Sequence, residues 1–252
     1  MGKSILLSPF AIFGRYILFL GQVFRKPAKF SIFLEDVAGQ IWTLTVRSIY
    51  IVSVVSLFVG AAVTIEMAIN LEHPMLPPFV IGAASRDVIL LEFSSTIIAL
   101  VLAGKVGGSI ASEVGTMRIT EQIDALNVMG INSAAFLILP KVVAMVLTFP
   151  LLASLSSLIA IAGGGFCVVA SGFISAQDFI DGVRSFATPY YVWYSMLKMS
   201  VFAFLIATIP SFWGYYAKGG SLEVGLASTR GVVDSSIALL LANLLLTRMF
   251  LI

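Results

Sequence analysis

The longest polar stretch of this chain reads Glu113-Val-Gly-Thr-Met-Arg-Ile-Thr-Glu-Gln-Ile-Asp-Ala-Leu-Asn-Val-Met-Gly130. Apolar segments flank this polar segment on both sides, and each is as long as the roughly 20 residues that a membrane-spanning helix needs. Thr116 suits a helix N-cap and Gly130 suits the position just after a helix, so the pattern predicts one helix over residues 116–129. A polar helix at the mouth of a membrane bundle is well placed to receive force from a soluble partner.

The composition is that of an integral membrane protein. Of the 252 residues, 59% are hydrophobic and 11% are charged, whereas a soluble domain carries about 25% charged residues. The net charge of +2 is too small to indicate nucleic-acid binding. Cys167 is the single cysteine, so neither a disulfide framework nor a cysteine-based metal site is expected. His73 precedes a proline in a predicted loop, where a lone histidine is more often solvated than a metal ligand.

The N-terminal region differs from the spans that follow. Residues 8–24 place apolar side chains at helical spacing beside basic residues, which is typical of an amphipathic helix lying in the membrane interface. Arg15 interrupts the apolar run and no cleavage site follows, so the region does not resemble a signal peptide. We predict an interfacial helix within residues 1–30 and a transmembrane bundle over residues 41–252, together forming one domain.

Five spans are predicted, at about residues 41–71, 88–109, 134–171, 190–216 and 232–252. The third is long enough to be two spans broken at Pro150 or at the glycine triplet 163–165, which would reverse the orientation of everything after it. Ser56, Gly60 and Thr64 form a small-xxx-small run that permits close helix approach, within one chain or in a dimer. The predicted fold is therefore all-α, with five transmembrane helices and a cytoplasmic polar helix between the second and third.

The basic residues predict the orientation. Most of them belong to the N-terminal arm, the 105–141 region and the 218–230 loop: Lys3, Arg15, Arg25, Lys26, Lys29, Arg47, Lys105, Arg118, Lys141, Lys218 and Arg230. The opposite side holds Arg86, Arg184 and Arg248. The positive-inside rule then predicts a cytoplasmic N-terminus, a cytoplasmic polar segment and a C-terminus on the outer side.

Two interpretations of the polar segment are open. Its apolar residues Ile119, Ile123 and Leu126 form one stripe, and periodicity alone favours an ordinary surface helix that links two spans. In that helix Arg118 is spaced to pair with Glu121 or Gln122. The alternative is a coupling helix, which docks into a groove on a cytosolic motor.

The polar segment resembles the signature of the MlaE (YrbE-type) permeases, the membrane subunits of ABC transporters in MCE-associated lipid transport systems. The likeness includes residues 103–108 before the segment and Pro140-Lys141 after it, and resumes at residues 214–216, 227–230 and 232–236. The matches run in order from about residue 60 to the C-terminus. This resemblance favours the coupling helix over the ordinary surface helix.

The resemblance implies a homodimer of permeases in the inner membrane of a diderm bacterium, moving phospholipid between the inner and outer membranes and so serving outer-membrane lipid asymmetry. A cytosolic ABC ATPase dimer would dock under the coupling helices, and a periplasmic ring of MCE-domain proteins would lie on the other side. A small STAS-type accessory protein is a further candidate partner, and no nucleic acid is expected. Gly104-Lys105 lacks the rest of a phosphate-binding loop, so ATP and magnesium are expected in the ATPase and no cofactor in this chain.

The resemblance also implies which residues contact the ATPase. They are the polar and small residues of the segment and the methionines beside them: Glu113, Gly115, Thr116, Met117, Arg118, Glu121, Gln122, Asp124, Ala125 and Met129.

Charged residues inside the predicted spans indicate a second site, because intramembrane charge usually marks an interior or a pathway. Glu92 and Lys198 match an acidic position and a lysine of the family, and Glu66 stands where the family tends to carry glutamine. The arginine that the family has beside the acid is missing, and Arg86 is the candidate to replace it. We predict that the three charges line an outward-opening lipid cavity, whose apolar wall includes Leu57, Val63, Met67, Met75, Leu76 and Phe79. In the alternative interpretation the acids are solvated at the interface and Lys198 pairs with one of them.

Two other classes of function remain open. A secondary transporter would use Glu66, Glu92 and Lys198 as an ion relay and would show internal repeats, which are not evident in the sequence. A membrane enzyme would need a clustered nucleophile, base or metal site, and none is evident either. We therefore expect a permease subunit without catalytic or metal-binding residues of its own.

Overall fold

The computed structural model describes residues 4–25, 30–71 and 76–251, and every regular element in these ranges is helical. The predictions on Lys3, Lys26, Lys29, His73 and Met75 lie outside the described residues. The α-helices are α1 (Ser4–Val23), α2 (Phe30–Gln40), α3 (Ile49–Asn70), α4 (Phe79–Val88), α5 (Ile98–Leu102), α6 (Gly108–Ile119), α7 (Gln122–Val128), α8 (Ser133–Ala170), α9 (Ala176–Arg184), α10 (Pro189–Tyr215) and α11 (Ser221–Leu251). π-Helical turns occupy Ile41–Thr45, Ile89–Ile97 and Ala103–Gly107, and a 3-10 turn occupies Val46–Ser48.

Among the described residues, five helical stretches are long and apolar enough to cross a membrane. They are Ile32–Asn70, Phe79–Ile119, Ser133–Ala170, Pro189–Tyr215 and Ser221–Leu251. The predicted all-α membrane fold is confirmed, with α1 as an additional N-terminal helix. The first, second and fifth stretches begin about nine to eleven residues before the predicted spans. An apolar run marks only the part of a helix that suits hydrocarbon, whereas the helix itself continues through polar turns at its ends.

The third stretch is one continuous helix. α8 passes through Pro140, Pro150 and the glycine triplet without interruption, so the predicted single span is confirmed and the alternative of a broken pair is excluded. The triplet instead marks close packing: a Cβ at Gly164 would overlap the hydroxyl of Thr64, and one at Gly165 would overlap the ring of Phe179. Proline inside a membrane helix is tolerated where neighbouring groups satisfy the freed carbonyls.

The small-xxx-small run of α3 packs against α8 of the same chain. A Cβ at Gly60 would overlap the backbone of Ala160, and Ser56 donates a hydrogen bond of 2.8 Å to Ser156. Small residues allow two backbones to approach this closely. The run therefore serves intrachain packing.

This contact predicts a stability difference between two glycine substitutions. We expect Gly60→Ala to lower the thermal unfolding temperature in detergent, because overpacking a tight contact costs about 1–3 kcal/mol. Gly225→Ala in α11 is the matched control, since no heavy atom lies within 4 Å of its added Cβ. Equal unfolding temperatures for the two variants, measured by fluorescence-detected size exclusion, would contradict the assigned contact.

The chain divides into two compact units. The first comprises Met1–Leu44, Leu102–Val146 and Ala203–Leu239, and the second comprises Thr45–Val101, Leu147–Phe202 and Leu240–Ile252. The polar segment belongs to the first unit. The intramembrane charges Glu66, Glu92 and Lys198 belong to the second.

In the first unit, α1 is anchored on α10. Phe19 is fully buried and contacts the rings of Phe212 and Tyr215, with centroids 5.7 and 5.4 Å away. The hydroxyls of Tyr16 and Thr208 lie 2.7 Å apart. The other side of α1 leaves apolar residues exposed, among them Phe13 and Leu18. One face of α1 therefore packs on protein, and the other suits the membrane interface proposed for it.

Candidate functional site

The polar segment is built from two helices joined by a sharp turn. α6 ends at Ile119, and α7 begins at Gln122. Between them Glu121 has a φ of 62°, a left-handed conformation that is uncommon for a residue with a Cβ. The prediction of one helix over residues 116–129 is therefore wrong in its start and in its continuity. Thr116 is not an N-cap, because it lies inside α6 and its hydroxyl donates to the carbonyl of Ser112.

The predicted end of the segment is confirmed. Gly130 has a φ of 78°, and its amide donates to the carbonyl of Asn127 at 3.0 Å. The amide of Ile131 donates to the carbonyl of Leu126 at 3.0 Å. This pair of bonds is the Schellman arrangement, in which glycine supplies the left-handed residue after a helix. α7 is therefore a short, sharply bounded helix between the second and third spans.

α7 presents an exposed surface with an apolar tip. Ile123 is fully buried and holds the helix on the protein. Val128 and Met129, here called the apolar tip, are 88% and 65% exposed. The other exposed residues of the polar segment are polar or small, and most were predicted to contact the ATPase: Glu113, Thr116, Thr120, Glu121, Gln122, Asp124, Ala125, Asn127 and Gly130. Val128 was missed because the predicted contact residues were the polar and small residues and the methionines, although the helical stripe through Ile119 and Ile123 leaves Val128 on the opposite face.

The remaining predicted contact residues position the segment. Gly115 is buried, and a Cβ there would overlap Val224. Arg118 pairs with Asp124 at 2.6 Å, and not with Glu121 or Gln122 as the spacing of a single helix had predicted. The turn before α7 ends the helical register, so that Asp124 comes within reach. Met117 is half-buried.

Glu113 pairs with a buried cation. Its two carboxylate oxygens accept hydrogen bonds of 2.8 and 2.9 Å from the ammonium of Lys141. The side chain of Lys141 is only 2% exposed. Both residues lie in the motifs that carry the family resemblance. The sequence did not show that they pair, because 28 positions separate them.

The second unit contains an ion pair inside its helix packing. The ammonium of Lys198 is fully buried and lies 3.1 Å from a carboxylate oxygen of Glu92. It also donates to the carbonyl of Leu91 at 2.9 Å. Glu92 lies in the π-helical turn Ile89–Ile97, and such turns often mark functional sites.

Three neutral donors complete a polar cluster around Glu92. Its carboxylate accepts hydrogen bonds from Thr96 at 3.1 Å, from Asn243 at 3.2 Å and from Thr247 at 3.3 Å. The polar cluster therefore comprises Glu92, Thr96, Lys198, Asn243 and Thr247. Asn243 was not among the residues predicted for the lipid site. The i, i+4 spacing of Asn243 and Thr247 on one face of α11 was the signal that could have found both.

Tyr194 borders the cluster. Its ring centroid lies 5.4 Å from the ammonium of Lys198, within the range of a cation–π contact. Its hydroxyl lies 3.1 Å from that of Thr247. Tyr194 precedes Lys198 by four residues, so both lie on one face of α10.

The other predicted members of the lipid site lie apart from these contacts. Glu66 is exposed on α3, and the hydrogen bonds described for Glu92 and Lys198 do not include it. Val63 is buried at 3% exposure beside Ile89 and Ala160, and Met67 packs against the same cluster. Leu57 and Leu76 are exposed, and Phe79 is half-buried. Val63 and Met67 thus take part in helix packing, and a lipid-facing role for the wall stays a prediction.

Arg86 does not replace the missing arginine beside Glu92. Its guanidinium pairs with Asp87 at 2.7 Å and donates to the carbonyls of Val183 and Ser185 at 2.8 and 2.6 Å. These contacts satisfy the carbonyl groups at the end of α9. The donors of Arg86 are therefore occupied by the contacts that hold the C-terminal end of α9.

These features define a polytopic α-helical membrane protein with a short exposed helix between two spans and a polar cluster among its helices. The family model described as Permease MlaE matches residues 37–249. The chain therefore belongs to the MlaE permease family.

Relatives support the assignment. A probable ABC transporter permease of Rickettsia bellii is 30% identical over 245 residues, covering 94% of this chain and 91% of that protein. A probable ABC transporter permease of Synechocystis sp. is 32% identical over 229 residues, covering 90% and 86%. The chloroplastic protein TRIGALACTOSYLDIACYLGLYCEROL 1 of Arabidopsis thaliana is 30% identical over 230 residues, covering 91% of this chain and 65% of that protein.

Proposed function

We propose that this chain is the membrane subunit of an ATP-driven transporter that moves phospholipid between the inner and outer membranes of a diderm bacterium. The observation that carries the proposal is the exposed helix α7 with its apolar tip, in a chain whose relatives are named ABC transporter permeases. An exposed pair of apolar side chains beside polar residues suits a protein interface. The partner is a separate ABC ATPase, which binds ATP and magnesium and docks against α7.

A lipid cargo fits the second unit. The relative from Arabidopsis thaliana carries the name of a diacylglycerol lipid. The polar cluster offers one carboxylate that is 41% exposed, and exposed apolar side chains such as Leu57 and Leu76 lie elsewhere in the same unit. A lipid site needs this combination of a few polar groups with wide apolar surface.

The assembly and its orientation complete the proposal. With five spans the two chain ends would lie on opposite sides, and the basic residues support an N-terminus and α7 in the cytoplasm and a C-terminus in the periplasm. Two copies of the chain would pair in the inner membrane above an ATPase dimer. A periplasmic ring of MCE-domain proteins and a small STAS-type protein are the further partners.

A secondary transporter is the other candidate, because an ion pair inside a membrane bundle also suits an ion relay. Such a relay requires Glu66, Glu92 and Lys198 to exchange a proton or an ion. Glu66 is exposed and lies outside the contacts of the polar cluster. The relay also leaves α7 and its apolar tip unexplained.

The direct test is purification of the tagged chain from its native membrane, with mass spectrometry of the attached proteins and lipids. We expect an ABC ATPase and phospholipid, and we expect the reconstituted complex to transfer phospholipid only with ATP. Transfer driven by an ion gradient without any ATPase would favour the secondary transporter. Recovery of the chain without an ATPase under conditions that preserve membrane complexes would contradict the proposal.

A further inference from the structure

We propose that the buried ammonium of Lys141 is the joint through which a movement of the polar segment reaches helices α2 and α8. The joint comprises Gln40, Glu113 and Lys141, and Lys141 is a positioning residue for transport. This inference rests on the proposed function, since it assumes that α7 receives the motion of an ATPase. It adds the route by which that motion leaves the polar segment.

Three helices meet at one nitrogen atom. Lys141 lies on α8, Glu113 lies on α6, and Gln40 is the last residue of α2. The ammonium donates to the two carboxylate oxygens of Glu113 at 2.8 and 2.9 Å, and to the side-chain oxygen of Gln40 at 3.1 Å. An ammonium has three donors, so these contacts give each of them an acceptor.

The burial of Lys141 makes the joint rigid. Removing an ammonium from water is costly unless an opposite charge and hydrogen bonds compensate for it. Lys141 is 2% exposed, whereas Glu113 is 48% exposed. If α6 moved away while α8 and α2 stayed in place, the buried cation would be left without its carboxylate. The favoured response is for the three helical segments to move together.

The other hydrogen bonds that join the polar segment and the turn after it, residues 131–133, to the rest of the first unit are of a different kind. Ser133 bonds the side chains of Asn127 and Tyr215 at 2.8 and 2.9 Å, and Asn132 donates to the carbonyl of Gln22 at 2.9 Å. These bonds join neutral groups, and the packing of Gly115 on Val224 is apolar. Neutral bonds can be exchanged with water and apolar surfaces can slide, whereas separating a buried ion pair leaves a desolvated charge without its partner.

A small cavity beside the joint leaves room for adjustment. It has a volume of about 90 Å³ and is lined by the joint and by Asp36, Met117, Phe136, Leu137 and Pro140. Met117 belongs to the polar segment, so the cavity adjoins the part of α6 that leads to the turn. Close-packed interiors transmit displacement. The cavity interrupts this packing beside the joint, and there the ion pair of Lys141 and Glu113 connects the helices.

The decisive variant removes both charges at once. Glu113→Gln alone leaves the buried ammonium of Lys141 without an anion and is expected to lower thermal stability, whereas Lys141→Met leaves a carboxylate that is 48% exposed and should lower it less. The double variant Glu113→Gln/Lys141→Met removes both charges at similar volume and is expected to recover stability. We expect it to bind the ATPase and to hydrolyse ATP, while the lipid moved per ATP falls by about tenfold or more.

The control makes the same two replacements at exposed residues, Lys218→Met/Glu223→Gln. It should leave the lipid moved per ATP unchanged. Equal transport per ATP in the joint variant and the control, at equal thermal stability, would overturn the joint. A purely structural role would let transport recover together with stability.

A second measurement does not depend on transport. Spin labels at Gly39 on α2 and Ala125 on α7, both exposed, are expected to give one narrow distance distribution in the otherwise unaltered chain with Cys167→Ser. The double variant should broaden it, and an unchanged distribution would overturn the joint. Failure of the unaltered complex to move lipid with ATP would contradict the proposed function, while this distance measurement would still decide on the joint.

Discussion

A chain carrying Val128→Asp and Met129→Asp is expected to insert normally into the membrane and to lose its ATPase partner. Val128 and Met129 are 88% and 65% exposed, so the two changes remove little packing within the chain. At an interface, central apolar side chains each contribute about 2 kcal/mol or more, and a buried carboxylate without a partner adds a further cost. We therefore expect the affinity for the ATPase to fall by about a thousandfold or more, measured by co-purification and by titration of the isolated ATPase.

The matched control for this experiment is Phe186→Asp. Phe186 is 81% exposed in the connection between α9 and α10, which the proposed orientation places on the periplasmic side. The control should retain the ATPase. Normal attachment in the double variant would show that the apolar tip is not the docking surface. Charge reversal at Arg118 is a less clean test, because Arg118 also forms an internal pair with Asp124.

The second large effect is expected from substitutions in the ion pair of Glu92 and Lys198. The loss of thermal stability should differ between the two partners. Glu92→Gln leaves the fully buried ammonium of Lys198 without an anion, and breaking a buried pair in this way costs about 3–5 kcal/mol. Lys198→Met leaves a carboxylate that is 41% exposed and still accepts from Thr96, Asn243 and Thr247. We expect Glu92→Gln to lower the thermal unfolding temperature clearly more than Lys198→Met. Equal effects, or the reverse order, would contradict the pairing.

Substituting both residues of this pair distinguishes a structural role of the polar cluster from a role in lipid binding. The double variant Glu92→Gln/Lys198→Met removes both charges and should regain most of the lost stability. If the polar cluster holds a lipid head group, photo-crosslinking of phospholipid stays low in the double variant despite the recovered fold. Unchanged crosslinking in Glu92→Ala, Lys198→Ala and the double variant would exclude the polar cluster from the lipid site.

Local patterns predicted much of this fold correctly. Five apolar runs indicated five spans, because hydrocarbon excludes an unsatisfied backbone and leaves a helix as the solution for each run. Gly130 was expected after a helix end, since only a residue that accepts positive φ suits that position. The small residues Ser56, Gly60 and Thr64 were expected to allow close packing, and they do.

The turn inside the polar segment escaped prediction for a physical reason. The left-handed conformation of Glu121 has no glycine or asparagine to announce it. A rare backbone conformation at an ordinary residue is stabilised by its surroundings, here by the burial of Ile123 and the pair of Arg118 with Asp124. Those surroundings exist only after the helices have packed.

By itself, the sequence determined that this is a membrane protein, how many spans it has and that it belongs to a permease family. These properties depend on composition and on the order of residues along the chain. The tertiary structure alone decided which charges meet. Lys141 could be matched with Glu113 and Gln40, and Lys198 with Glu92 rather than Glu66, only once the faces of separate helices had been brought together. Periodicity tells which residues share a face of one helix, whereas a buried ion pair depends on how several helices are rotated against one another.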